Sequence, residues 1–170
     1  MRTLTTAALS MIFAATASAD IVDLSGSTSD GLDGAGSNTV VQVNLNAGQG
    51  ATVIGFAFAL SFEAFSPSWG SEMRIRITSP DNVSVVIAGN ALGWGNSAGR
   101  FVAGGSTNAF NGGNYNGTWT FRFFESFDDG ITPDGLHRDA VFIIKPIPAP
   151  GALALLAGAG LIGARRRRRG

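Results

Sequence analysis

The clearest feature of the chain is an alternation of large apolar side chains with small or polar ones. In segment 53–62, phenylalanine and leucine occupy every second position from Phe56 onwards, and glycine, alanine and serine precede and separate them. Successive side chains of a β-strand point to opposite faces. A repeat of two residues therefore predicts that this segment is a strand with one face in the core. The same alternation predicts four further strands: 40–45, 73–78, 83–87 and 118–123.

The segments between these strands favour an all-β fold. Ser79-Pro80-Asp81-Asn82 predicts a tight turn, because proline suits the second turn position, and the flanking strands are then either a hairpin or adjacent strands. The run 140–144 is apolar throughout and predicts a strand buried on both faces. Segments 25–37 and 88–117 are rich in Gly, Asn and Ser and are predicted loops, the second either functional or disordered. Six or seven strands with glycine turns predict an antiparallel β-sandwich or jelly roll.

Composition and charge exclude several classes of protein. The chain has 170 residues and no cysteine, which excludes disulfides, thiolate zinc sites and cysteine nucleophiles. All twelve acidic residues lie between Asp20 and Asp139, where only six basic residues accompany them up to Lys145, so the middle carries a net charge of −6. An acidic surface repels nucleic acid, which is therefore excluded as a partner.

The first nineteen residues predict a secretory signal peptide. Arg2 precedes an apolar run, and the small residues Ala17 and Ala19 stand at positions −3 and −1 of a cut before Asp20. Signal peptidase accepts only small side chains at these two positions. We therefore expect cleavage after Ala19, export, and a folded domain over residues 20–146.

Residues 147–170 predict a sorting anchor with three parts. The uncharged segment 152–164 predicts a short transmembrane helix; a helix over 151–164 is about 21 Å long, against a hydrocarbon core of roughly 30 Å. A run of arginines does not cross the bilayer, so the tail would stay cytoplasmic and the body would lie outside. The sorting motif is Pro148, Ala149, Pro150 and Gly151, and the basic tail is Arg165, Arg166, Arg167, Arg168 and Arg169.

The order of these three parts resembles the PEP-CTERM sorting signal of Gram-negative bacteria. In that family the tripeptide is usually Pro-Glu-Pro, whereas here Ala149 stands in place of the glutamate. The resemblance covers the last 23 residues. It implies a membrane-anchored precursor, processing by the membrane protease exosortase, and a mature form at the cell surface or outside the cell. An ordinary single-pass tail anchor is the alternative.

Two segments of the middle resemble the P domain that accompanies subtilisin-like proprotein convertases. One is 73–81, which ends in Ser79-Pro80-Asp81, and the other is 116–122, which contains Gly117-Thr118-Trp119 and is followed by the acidic Asp128-Asp129-Gly130. The resemblance covers about 60 residues in pieces. It implies a jelly-roll β-sandwich without catalysis, since the P domain supports a separate protease domain.

Candidate chemistry in the middle rests on a few side chains. His137 is the only histidine and is predicted to face solvent from a loop. No Gly-x-Ser-x-Gly element accompanies it, which argues against a Ser-His-Asp triad. Trp69 and Trp94, flanked by small residues in predicted loops, are candidates for ligand contact or for folding back onto the core. Because calcium prefers oxygen ligands, a candidate calcium loop comprises Asp128, Asp129, Asp134 and Asp139.

These observations favour an exported, non-catalytic cell-surface or extracellular-matrix protein that is sorted through its tail. The expected partners are signal peptidase, an exosortase-type protease, the membrane and, as a candidate, exopolysaccharide; calcium is the only candidate cofactor. A carbohydrate-binding or calcium-dependent adhesion module is the alternative. A small glycoside hydrolase or esterase is favoured least, and its candidate residues are Glu63, Glu72, Glu125 and His137.

Overall fold

In the computed structural model, which describes residues 18–147, the chain is all β apart from two short 3-10 helices. Residues 1–17 and 148–170, which carry the predicted signal peptide and nearly all of the predicted anchor, lie outside the described residues. The 3-10 helices are Gly70–Glu72 and Gly89–Leu92. The strands are β1 (Asp20–Asp23), β2 (Thr28–Ser29), β3 (Thr39–Leu45), β4 (Thr52–Ala64), β5 (Met73–Thr78), β6 (Ser84–Ala88), β7 (Gly99–Thr107), β8 (Gly117–Glu125) and β9 (Gly135–Ile147).

The strands form two antiparallel sheets. The first sheet has the order β1-β9-β4-β7, with the two-residue β2 also paired to β9, and the second has the order β3-β8-β5-β6. The hairpin predicted around Ser79–Asn82 is confirmed as the β5–β6 pair. The long strands β4 and β9 pair along almost their whole length, which makes them the centre of the first sheet.

The inner faces of the two sheets meet in one apolar core, as the alternation predicts. Phe56 on β4 stacks on Trp119 of β8 at 6.3 Å between ring centroids, and Phe121 of β8 contacts Phe142 of β9 at 4.8 Å. Burying an aromatic or aliphatic side chain of this size contributes about 1.5–3 kcal/mol relative to exposure. The sheets therefore pack face to face in a sandwich-like arrangement.

Two sequence predictions about strands are wrong. Segment 88–117 is not a loop, because it contains a 3-10 helix and the nine-residue strand β7. A Cβ on Gly105 would lie 2.7 Å from the Phe58 ring, so glycine is needed there for close packing inside a strand. The run 140–144 is buried on one face only, since Phe142 is fully buried whereas Ile143 is 40% exposed.

The chain enters and leaves the sandwich at the same end. Asp20 pairs with Ile144, and Ile147 pairs with Thr52. At the opposite end, which we call the loop end, β4 and β8 finish while β5 and β9 begin, and the connecting segments there are 30–38, 65–72 and 126–134. Between residues 18 and 147, no helix is long and apolar enough to cross a membrane.

Candidate functional site

Four carboxylates that are buried or half-buried gather at the loop end. Glu125 is only 1% exposed, Asp30 and Asp134 are also buried, and Asp129 is half-buried. We call Asp30, Glu125, Asp129 and Asp134 the carboxylate cluster. Acidic side chains are rarely buried unless they are paired, so the group marks this end as unusual.

Backbone pairing around Gly31 brings the cluster together. The Glu125 amide, at the end of β8, donates to the Gly31 carbonyl at 2.8 Å. The Gly31 amide in turn donates to Oδ2 of Asp134 at 3.0 Å. Gly31 has a φ of +62°, and a Cβ there would lie 2.8 Å from the Ser37 hydroxyl, so the turn requires glycine.

Ser68 joins two loops across the cluster. Its buried hydroxyl donates to Oδ2 of Asp129 at 2.7 Å and lies 3.3 Å from Oδ1 of Asp134. Segments 65–72 and 126–134 are therefore held against each other by one hydroxyl and two carboxylates.

Several carboxylate oxygens of the cluster have no hydrogen-bond partner. Both Oε1 and Oε2 of Glu125 are buried without one, and so is Oδ1 of Asp129. Among the described residues, every ion pair involves Asp33 or Glu63, so none reaches the cluster. The Nη1 atom of Arg74, a cation near Glu125, donates instead to the carbonyls of Ser71 and Met73.

The surroundings of the cluster favour protonated carboxyl groups. Burial, and then the charges of Asp134, Glu72 and Asp129, raise the pKa of Glu125 to about 9. Burial raises the pKa of Asp134 to about 6, although the hydrogen bond from the Gly31 amide opposes this shift. Glu125 is therefore protonated at neutral pH as long as no cation compensates its charge.

The predicted calcium loop overlaps with the cluster only in part. Asp129 and Asp134 belong to the cluster. Asp128 is exposed and accepts a hydrogen bond from the Gly130 amide, and Asp139 is exposed on β9, so neither belongs to the cluster. In the part of the chain that the structure describes, no three acidic or histidine side chains are close enough to hold a metal ion as they stand. Glu125 was a candidate only for the hydrolase and not for the calcium loop, yet it continues the inward-facing series Trp119, Phe121 and Phe123, so the alternation itself indicated a buried glutamate.

The two candidate tryptophans have different surroundings. Trp94 is 7% exposed, and its ring stacks on Phe62 at 5.9 Å and on Phe101 at 5.5 Å, so it belongs to the core and does not present a surface. Trp69 is 42% exposed and precedes the first 3-10 helix. Phe127 is 60% exposed on the loop that Ser68 ties to the Trp69 loop. The exposed aromatic pair at the loop end is thus Trp69 and Phe127.

The prediction that His137 faces solvent is wrong. It lies on β9, fully buried, with its ring 4.8 Å from the rings of Phe62 and Phe123. Its Nε2 lies 3.1 Å from the hydroxyl of the buried Ser29, and its Nδ1 is buried without a hydrogen-bond partner. A catalytic triad needs a carboxylate on the second nitrogen and a serine that substrate can reach. Burial lowers the pKa of His137 to about 3, so the imidazole is neutral.

The remaining hydrolase candidates are held by other contacts. Glu63 accepts hydrogen bonds from Arg138, with Arg100 at 3.8 Å. Glu72 accepts a bond from the Trp69 amide at 3.0 Å, as a cap of the first 3-10 helix.

Comparisons with known proteins identify no family. No family model matches the chain, and no curated protein matches it. Among solved structures, the chain is similar to dimeric latent PorU from Porphyromonas gingivalis, with a TM-score of 0.44 and 13% sequence identity. The similarity covers 81% of this chain and 14% of that chain, so the present chain spans about a seventh of its length.

Proposed function

We propose that the protein is an exported, non-catalytic component of the cell surface or extracellular matrix, made as a membrane-anchored precursor and processed by an exosortase-type protease. The observation that carries this proposal is the position of the two ends of the sandwich. Asp20 and Ile147 lie at the same end, next to the segments predicted to be cut or anchored. An anchored body would then direct its acidic loop end away from the membrane.

We infer further that the sandwich is a jelly roll. Without the two-residue β2, the eight remaining strands have the spatial order 1-8-3-6 in one sheet and 2-7-4-5 in the other. Two antiparallel sheets connected in this way contain two Greek keys, which is the jelly-roll arrangement. This order supports the P-domain-like fold that the Ser79-Pro80-Asp81 and Gly117-Thr118-Trp119 segments imply.

A non-catalytic role is supported by where the candidate catalytic groups lie. The Ser29–His137 pair is fully buried beneath aromatic rings, where substrate has no access. Glu63 is held by two arginines, and Glu125 is buried in the cluster. A surface or matrix role requires none of these groups to react.

The intact mass of the protein, measured on material from the surface and medium of the native host, tests the sorting proposal. We expect a mass that begins at Asp20 and ends between Pro148 and Gly151, because both end segments would be removed. A matched variant, Pro148→Ala with Pro150→Ala, keeps the apolar segment and the arginine run but removes the motif. It should accumulate uncut in the membrane fraction.

Two results would contradict the sorting proposal. One is a wild-type mass that retains Arg165–Arg169, which would make the tail a permanent anchor. The other is normal processing and location after deletion of residues 148–170.

A second candidate function is a carbohydrate-binding or calcium-dependent adhesion module. The observation that favours it is the exposed pair Trp69 and Phe127 on adjoining loops, since flat aromatic faces suit sugar rings. Retention of the full chain on immobilised host exopolysaccharide should fall at least tenfold in Trp69→Ala. Val102→Ala, which changes an exposed apolar residue of β7, is the control and should keep its retention. Equal retention of both variants would exclude Trp69 as a contact.

A further inference from the structure

We propose that the carboxylate cluster binds a divalent cation, with calcium preferred, through Glu125, Asp129 and Asp134, and that the bound ion fixes segments 65–72 and 126–134 against each other. The site lies in the body of the protein and does not depend on how the tail is processed. It deepens the calcium-dependent alternative by assigning its residues: Glu125 joins Asp129 and Asp134, while Asp128 and Asp139 are left out.

The unpartnered oxygens carry the proposal. Glu125 is 1% exposed and follows Phe123 and Phe124 at the end of β8, with both carboxylate oxygens lacking a hydrogen-bond donor. Oδ1 of Asp129 is in the same condition. A buried acceptor without a partner is costly, and in native proteins it usually indicates a water, an ion or a functional role. A bound cation would supply the missing partner for these three oxygens, which accompany the buried Asp134.

Hydrogen bonds connect the members of the cluster. The Glu125 amide donates to the Gly31 carbonyl, the Gly31 amide donates to Asp134, and Ser68 contacts Asp129 and Asp134 together. Arg74 is the cation near Glu125, and its Nη1 donates to two carbonyls. Ion pairs elsewhere at the loop end use Asp33 and Glu63 instead. Among the described residues, therefore, no ion pair involves a carboxylate of the cluster.

The donor chemistry selects the kind of ion. All candidate donors are oxygens of carboxylate or hydroxyl groups, and such donors suit calcium or magnesium better than zinc or copper. Calcium takes six to eight oxygens in flexible geometry, including carbonyls and water, whereas magnesium demands a near-ideal octahedron. No three of the described acidic side chains are within ligating reach as they stand, so binding must draw the loops together. Ligands on loops can satisfy the flexible geometry of calcium more easily than the strict octahedron of magnesium.

A bound cation would affect the exposed aromatic side chains at the surface of the loop end. Trp69 directly follows Ser68, and Phe127 precedes Asp129 by two positions. An ion held by Asp129 and Asp134 would thus fix the loops that present both exposed aromatic rings. The cation would act as a structural clamp under this pair.

Calcium binding is tested on the full chain in detergent micelles after treatment with EDTA, by thermal unfolding and by titration calorimetry with calcium chloride. At calcium a hundredfold above the dissociation constant, the wild type should melt about 10 °C higher. Glu125→Gln and Asp129→Asn should reduce this shift to within about 2 °C. Asp128→Asn and Asp139→Asn remove one exposed carboxylate each outside the cluster, and they should keep the full shift.

The far-UV spectrum and the calcium-free melting temperature show whether each variant is folded. If a cluster variant does not fold, Ser68→Ala takes its place as a milder change. This variant should weaken calcium binding at least fivefold. The proposal is overturned if the wild type shows neither a melting shift nor binding heat at millimolar calcium. It is also overturned if the Asp128 or Asp139 variants lose the response as fully as the cluster variants, or if magnesium stabilises as much as calcium. The intact-mass test of sorting stands apart from each of these results.

Discussion

His137 and Glu125 are two of the buried titratable side chains, and their surroundings differ. His137 has one hydrogen-bonding neighbour, Ser29, and two aromatic rings, which keep the imidazole neutral. Glu125 ends an otherwise aromatic inward series and has no neutral partner for its oxygens. The histidine is thus packed as part of the core, whereas both carboxylate oxygens of the glutamate are buried without a hydrogen-bond partner.

His137 makes the stability of the domain depend on acid pH. Its pKa is about 3 in the folded state and 6.5 in the unfolded state, so the unfolded chain binds the extra proton between these two values. The neutral His137 therefore leaves the free energy of unfolding at its full value above pH 6.5, and this free energy falls as the pH drops towards 3. Urea unfolding should show that His137 lowers the free energy of unfolding by about 3 kcal/mol at pH 4 relative to pH 7.

The control for this prediction is His137→Gln, whose amide nitrogen replaces Nε2 beside Ser29 but does not titrate. The difference between wild type and variant isolates the histidine from the carboxylates that titrate in the same range. Parallel pH profiles for the two proteins would contradict the prediction.

At the scale of elements, backbone contacts hold the first 3-10 helix against segment 89–97, and one of these contacts requires glycine. The Gly70 amide donates to the Ser97 carbonyl at 3.0 Å, and the Ser71 amide donates to the Gly95 carbonyl at 3.1 Å. A Cβ on Gly89 would lie 2.0 Å from the Gly70 carbonyl oxygen. These contacts seat segment 89–97, with Trp94, over the end of β4.

Gly89→Ala should therefore lower the free energy of unfolding by about 2 kcal/mol, because the backbone of Gly70 must shift to admit the methyl group. Gly95→Ala is the matched control in the same segment, since the nearest atom to its Cβ is 4.0 Å away. We expect a change of less than about 0.5 kcal/mol there. Chemical denaturation of both variants gives the comparison, and equal losses would show that the close approach is not the cause.

At the scale of the whole molecule, the sandwich has two unlike ends. The end that holds Asp20 and Ile147 is built from strand pairs, whereas the loop end carries the cluster, Trp69 and Phe127. The long central pair β4–β9 connects them over 13 residues, or roughly 40 Å of strand. This layout suits a protein that is attached at one end and presents the other.

Hydrogen exchange should follow this layout. Amides of β4 and β9 should exchange most slowly, because they lie in the longest paired ladder, and those of 126–134 should exchange fast without calcium. Calcium should slow exchange in 65–72 and 126–134 at least tenfold in the wild type and leave Glu125→Gln unchanged. Slowing that is spread evenly over the sheets, or that persists in the variant, would show that the cluster does not cause it.

Most strands could be predicted from the sequence, because a strand that faces a core needs only a local alternation. Segment 53–62, the hairpin around Ser79–Asn82 and the Trp119–Phe123 strand are all confirmed. The strand β7 was missed because its glycines were interpreted as loop formers, while Gly105 serves a ring 47 positions away, on Phe58. For the site, Asp129 and Asp134 were predicted as part of a calcium loop and Glu125 only as a hydrolase candidate, whereas the bridging role of Ser68 was not predicted.

The sequence by itself determined the alternating faces, the exclusion of cysteine chemistry, and the end segments that predict export and sorting, since each is a property of neighbouring residues. The alternation could indicate a buried Glu125, but only the tertiary structure decided which polar side chains meet. Asp30, Ser68 and segment 125–134 lie far apart along the chain, and strand register together with the Gly31 turn brings them to one end. Register is a long-range property of paired strands, and no local pattern encodes it.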